Sequence, residues 1–184
     1  MFFRSIALAA AALAVTSSAA LAGATLQYPG GRTFLLVNEQ GHLNGFVPSD
    51  LDAMFPNPLP VISNPSAIGV FYDGVGDATV DGCLCEGWGA GASFGGSFVS
   101  MGASVDNGGI TGMAPTVSFG ATSNTASSIV NTAGGELTVR HNIGPSIVFD
   151  VFQMTVTITN NSMDVAEDVL YRRIMDWDVQ PTPF

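Results

Sequence analysis

Lysine is missing from this chain altogether. Its five basic residues are Arg4, Arg32, Arg140, Arg172 and Arg173, set against fifteen acidic ones for a formal net charge of −10. So acidic a chain offers no basic footprint to a phosphate backbone or an anionic membrane, and nucleic acid is excluded as a partner. Cysteine and histidine are almost as scarce, with two of each. Two cysteines are too few for a disulfide scaffold. His42 and His141 lie far apart in the sequence, and no nucleophile-elbow pattern accompanies them, so no Ser-His-Asp or Cys-His catalytic set can be drawn. The glycine-rich stretches do not sit between a strand and a helix, which removes a nucleotide-binding loop. Charged residues make up only 11%, and beyond the N-terminus no apolar run is long enough to span a bilayer.

What is present points to strands. Hydrophobic residues reach 47% and glycine 22 residues in a chain of 184, which suits one core built from short strands and tight turns. The N-terminus is set apart from this pattern. Arg4, an apolar run over 6–15 and the triplet Ala20-Leu21-Ala22 have the form of a secretory signal peptide, cleaved after Ala22. Residues 1–22 are therefore expected to be a signal helix, and 23–184 a single β-sandwich domain, secreted or held at the cell surface.

The clearest periodicity lies late in the chain. Phe152, Met154, Val156 and Ile158 alternate with Gln153, Thr155, Thr157 and Thr159, the signature of a strand with one dry and one wet face. After Asn160-Asn161-Ser162 a second extended run follows, with Val169, Tyr171, Arg173 and Met175 on one face and Leu170, Arg172 and Ile174 on the other. Apolar groups on both of its faces predict cover on both sides. Upstream, residues 33–37 and 42–47 read as a hairpin across Asn38-Glu39-Gln40-Gly41, and residues 48–65, with five prolines, read as a loop. Glycine over 87–109 argues against long strands, apart from a short one at 93–101. Residues 115–121, 127–132 and 136–141 complete the strands; the last places Leu137, Val139 and His141 on one side, where His141 reads as a half-buried structural residue. The expected fold is all-β, an antiparallel sandwich of eight or nine strands.

Three groups of residues carry the candidate chemistry. Cys83 and Cys85, in an exported chain, form a disulfide in the simplest reading; the alternative is a metal site shared with His42 or His141. Asp176 and Asp178 fall on one face of an extended strand about 7 Å apart. They could hold Ca2+ through oxygen ligands or act as a glycosidase acid and base, and they are also what a solvent-facing acidic strand looks like. Trp88, Trp177 and Tyr171 could stack on sugar rings, but their apolar neighbours are those of a core.

The wording of Cys83-Leu84-Cys85-Glu86-Gly87-Trp88-Gly89, of Met154 to Asn161 and of Leu170-Tyr171-Arg172-Arg173-Ile174-Met175-Asp176-Trp177-Asp178 resembles uncharacterised secreted bacterial surface proteins of the exosortase-processed, PEP-CTERM class. The strand pair also resembles bacterial Ig-like surface domains. The resemblance implies a scaffold or adhesion role and brings no established chemistry with it. Members of that class run on past the Pro-Thr motif into a short sorting tail, whereas this chain reaches Phe184 directly after Pro181-Thr182-Pro183, which reads as a fragment or a lost anchor. The expected function is therefore a non-catalytic structural or adhesive component binding surface, matrix or polysaccharide partners. A carbohydrate-binding module, or the N-terminal β-domain of a secreted glycoside hydrolase with optional Ca2+, is the alternative.

Overall fold

The computed structural model describes residues 23–43, 69–73, 76–79, 86–104, 109–115 and 117–175. The leader, the proline-rich segment, Cys83, Cys85, Asp176, Trp177 and Asp178 lie outside these residues, so the disulfide, the Ca2+ pair and one aromatic candidate fall there too. All described regular structure is strand. β1 (Gly23–Gln27), β2 (Thr33–Asn38), β3 (Val70–Tyr72) and β4 (Gly76–Asp77) form one antiparallel sheet in that order. β5 (Glu86–Phe94), β6 (Ser97–Ser104), β7 (Ile110–Thr111) and β12 (Ala166–Met175) form a second, ordered β12-β5-β6-β7. β8 (Ser118–Ala121), β9 (Ala126–Asn131), β10 (Leu137–Pro145) and β11 (Phe152–Asn160) form the third, ordered β11-β10-β9-β8. No helix among the described residues is long and apolar enough to cross a membrane.

The architecture is the expected all-β, antiparallel, sandwich-like one, with twelve strands among the described residues where eight or nine were expected. Several of the additional strands are only two or three residues long and carry no periodicity of their own. Trp88, Ala90, Ala92 and Phe94 of β5 and Met101 and Ala103 of β6 pack against Val130, Leu137 and Val139 of the third sheet. A second cluster joins Leu26, Leu35, Val37 and Leu43 to Ala126 and Ile143. β10 therefore serves both clusters with one face, and His141 is the inward residue between Val139 and Ile143.

The glycine-rich stretch departs from its expected form. In place of one short strand at 93–101 it makes the β5–β6 hairpin, with its turn at Gly95-Gly96, where φ is +55° and +88°. Two successive positive φ values are what a tight two-residue hairpin turn demands, and glycine adopts them without a Cβ penalty. Gly87, Gly89 and Gly91 alternate with Trp88, Ala90 and Ala92, so the glycines share the face opposite the one that packs into the core, where Gly87 and Gly91 are themselves buried and Phe98 lies close over Gly91.

Two further expectations are corrected. Among the described residues β2 pairs with β1 and β3, and His42 and Leu43, expected to begin the returning strand of a hairpin, belong to a turn; the rest of that expected strand, 44–47, lies outside the described residues. β12 is covered on its inner face only, since Leu170 is 59% and Ile174 49% exposed. Its register against β5 slips between Glu167 and Leu170, with Asp168 at φ 48°, and this bulge turns Val169 outward.

Burial separates the apolar positions energetically. Leu137→Ala, at a site 1% exposed, is expected to cost about 2–5 kcal/mol through lost contacts and a residual cavity. Leu170→Ala is expected to stay within about 0.5 kcal/mol of the parent. Urea-unfolding midpoints of the two variants check the contrast.

Candidate functional site

Among the described residues a buried polar cluster surrounds the turn over residues 39–43 that follows β2. A turn buried there leaves peptide groups without water, and each must find a partner or lose free energy. Side chains from three strands supply the partners. Ser128 Oγ of β9 donates to Glu39 O at 2.6 Å, Trp88 Nε1 of β5 donates to Gln40 O at 2.9 Å, and Arg173 Nη1 of β12 donates to Gly41 O at 3.2 Å. Glu86 Oε2 accepts from Leu43 N–H at 2.6 Å, and Asn38 Oδ1 accepts from the N–H groups of Gln40 and His42.

Glu86 and Arg173 also form an ion pair of 2.5 Å with the carboxylate side chain 3% and the guanidinium side chain 19% exposed. Facing positions on adjacent strands explain their meeting, since β12 pairs with β5 so that Met175 lies opposite Glu86 and Arg173 opposite Trp88. Burial pushes the Glu86 carboxyl up to about 7, against the pull of Arg173 and of the Leu43 N–H in the other direction.

Both histidines sit in this cluster, His42 4% and His141 0% exposed. Because Asn38 Oδ1 is occupied by two peptide N–H groups, its amide nitrogen must donate to His42 Nε2, 2.6 Å away. His42 is then neutral with its proton on Nδ1, for a protonated Nε2 would face a second donor. His141 Nε2 lies 3.1 Å from the Tyr171 hydroxyl, and its ring packs 4.6 Å from that of Trp88. Gly41 closes the ring's other side: a Cβ there would lie 2.5 Å from His141 Nδ1, and its φ of +80° is itself a glycine conformation. Desolvation, with Arg173 adding to it, lowers both histidines to about 4.

Tyr171 and Trp88 thus belong to the interior, their rings stacked at 6.2 Å. Trp88 is 4% exposed. Neither offers a free face for a sugar ring. His141 is more deeply buried than its place in the sequence suggests. Glu86, Arg173 and Gln40 were not singled out from the sequence, and His42 was weighed only as a metal ligand beside Cys83 and Cys85; Glu86 is adjacent to the cysteine motif, but nothing local shows that it turns inward. Arg172 is exposed on the face of β12 opposite Arg173. No group of three or more His, Cys, Asp or Glu arranged to hold a metal occurs among the described residues.

A second site faces outward. The loop over residues 146–151 shows Ile147 at 102%, Val148 at 59% and Phe149 at 68% exposure. It is nevertheless firmly held. Asp150, at φ 63°, accepts through Oδ1 from the N–H groups of Arg32 and Thr33, both at 2.9 Å, while its own carbonyl accepts from Thr33 Oγ1. Tyr28 donates to the carbonyls of Ser146 and Val148, and its ring meets Phe149 edge-on at 5.4 Å. Comparison with known protein families, with curated proteins and with solved structures finds no match to this chain.

Arg173→Met is expected to cost about 3–5 kcal/mol, because it leaves the Glu86 carboxylate buried without its counter-charge. Adding Glu86→Gln should recover part of that loss, and a double-mutant cycle from urea titrations measures the coupling. The histidines set an acid limit. Between about 4 and 6.5 the unfolded chain takes up two protons that the folded interior refuses, so their contribution is lost as pH falls through that window. Glu86 acts oppositely between 4.5 and about 7, where the folded state holds its proton the longer and is favoured at the acid end. Two groups outweigh one, and stability should decline on acidification below about 6.5. Replacing His42 with Leu and His141 with Phe should flatten or reverse that decline, measured as the unfolding midpoint against pH relative to the parent.

Proposed function

We propose that this chain is an exported structural or adhesive component of a cell surface or extracellular matrix, and that it performs no catalysis. The observation that carries the reading is the loop over residues 146–151, whose apolar side chains face water although its backbone is fixed by Asp150, Thr33 and Tyr28. A loop held this firmly does not display Ile147 to water for want of somewhere to fold. Exposed apolar groups on a rigid support are how proteins meet other surfaces. The signal-peptide form of residues 1–22 and the acidic, lysine-free composition support a place outside the cytoplasm. The sealed state of His42, His141 and Glu86 supports a fastening role for the polar cluster rather than a reactive one. The carbohydrate reading is the weaker, since Trp88 is enclosed and Tyr171 is bonded inward to His141.

Ile147→Ser with Val148→Ser is expected to leave the unfolding midpoint unchanged and to lower, several-fold, the amount of chain retained on the surface of its source cells. Equal retention of parent and variant would overturn the adhesive role. Recovery of the chain only from the cytoplasm with residues 1–22 attached, rather than outside it beginning at Gly23, would overturn export.

A further inference from the structure

The connection between β10 and β11 carries its apolar groups on a tip. Ile147, Val148 and Phe149 are consecutive and all exposed, and Val151 joins them after Asp150. Successive side chains on a bent segment diverge, so one flat or concave protein surface does not reach all three at once. A fluid apolar phase surrounds such a tip without having to match its shape.

The backbone beneath is arranged for the same medium. In an apolar phase each peptide group without a partner costs free energy, because no water is there to bond it. Ser146 N–H donates to Val151 O at 2.8 Å, and Val148 N–H to Ser146 Oγ at 3.0 Å. The carbonyls of Ser146 and Val148 share the Tyr28 hydroxyl, 3.3 Å from each, and the Asp150 carbonyl accepts from Thr33 Oγ1 at 2.8 Å. A protein partner brings donors of its own, whereas lipid tails bring none, and this loop draws them from within. Residues 146–149 hold no charge. Asp150 and Arg32, at the base, are engaged in the fold: the carboxylate by two peptide N–H groups, the guanidinium by the Tyr72 ring and the Asp73 carbonyl.

We propose that the loop over residues 146–151 inserts Ile147, Val148 and Phe149 into the surface of a lipid bilayer with zwitterionic or uncharged headgroups. Insertion is shallow, at the boundary between headgroups and acyl chains, because the charged Arg32 and Asp150 lie directly beneath the tip. Net charge selects the lipid: a chain at −10 is repelled by an anionic surface, so apolar contact has to carry the attachment. The inference names the partner of the loop and rests on its adhesive reading.

Flotation of the chain with phosphatidylcholine vesicles tests it. The parent should float, and Ile147→Ser with Val148→Ser should lower the bound fraction by roughly tenfold or more at an unchanged unfolding midpoint. Val169→Ser with Leu170→Ser removes another exposed apolar pair, on β12, and should leave binding as it was. Adding phosphatidylglycerol to the vesicles should weaken binding at low salt, and raising the salt should recover it. Equal losses in the two double variants overturn the proposal, as does tighter binding to the phosphatidylglycerol vesicles. A parent that fails to float, although Ile147→Ser with Val148→Ser still lowers retention on cells, overturns the lipid partner alone, whereas equal retention of parent and variant overturns the adhesive reading beneath it.

Discussion

The need to satisfy the buried peptide groups of the turn over residues 39–43 holds the described architecture together. That turn leaves the β1–β4 sheet and enters the space between the other two, where water cannot reach its carbonyls. Ser128, Trp88 and Arg173 each supply one donor, from a different strand, and Glu86 takes the Leu43 N–H. A neutral donor set would have closed the same bonds. The Glu86–Arg173 pair adds a geometric requirement, since both charges are tolerable inside only while they face each other. Its value is in fixing how β5, β12 and the turn are placed more than in net stability.

The histidines and glycine of the cluster follow from that arrangement. His141 occupies the one inward position of β10 between two apolar clusters, and its ring spans from Tyr171 to Gly41. Any side chain at residue 41 would drive into it, so the smallest residue and the positive φ coincide where the turn passes closest. Neutral imidazoles beside a guanidinium are consistent only with strong desolvation, which is also what raises Glu86. Groups that at a surface would invite a catalytic reading here behave as internal fasteners. The apolar loop over residues 146–151 is of another kind, held by its backbone and open to water at its side chains.

Much of the fold was legible in the residues. The alternation over residues 152–159 and 137–141 appears in β11 and β10 because a two-residue period has one meaning when one face must be dry. Where reading failed, a local rule was overridden by what lay across the gap. Glycine over 87–94 looked hostile to a strand, yet the glycines share one face, closely approached by β6, and Trp88, Ala90 and Ala92 pack the other. His42 and Leu43 were read as the start of a returning strand, yet they lie in a turn because Asn38 folds its side-chain amide back on Gln40 and His42.

By itself the sequence determined the class: an acidic, lysine-free, glycine-punctuated chain with strand periodicity folds as an antiparallel all-β protein. Only the tertiary structure decided that Glu86, Arg173, His42 and His141 meet, that Trp88 is enclosed and that Ile147 is not. The division has a physical cause. Period and composition report how a segment partitions between water and an apolar layer, which depends on neighbours two residues away. Pairing of charges and choice of tautomers depend on residues distant along the chain, such as positions 43 and 86 or 141 and 171, and on which segments no longer have room for water between them.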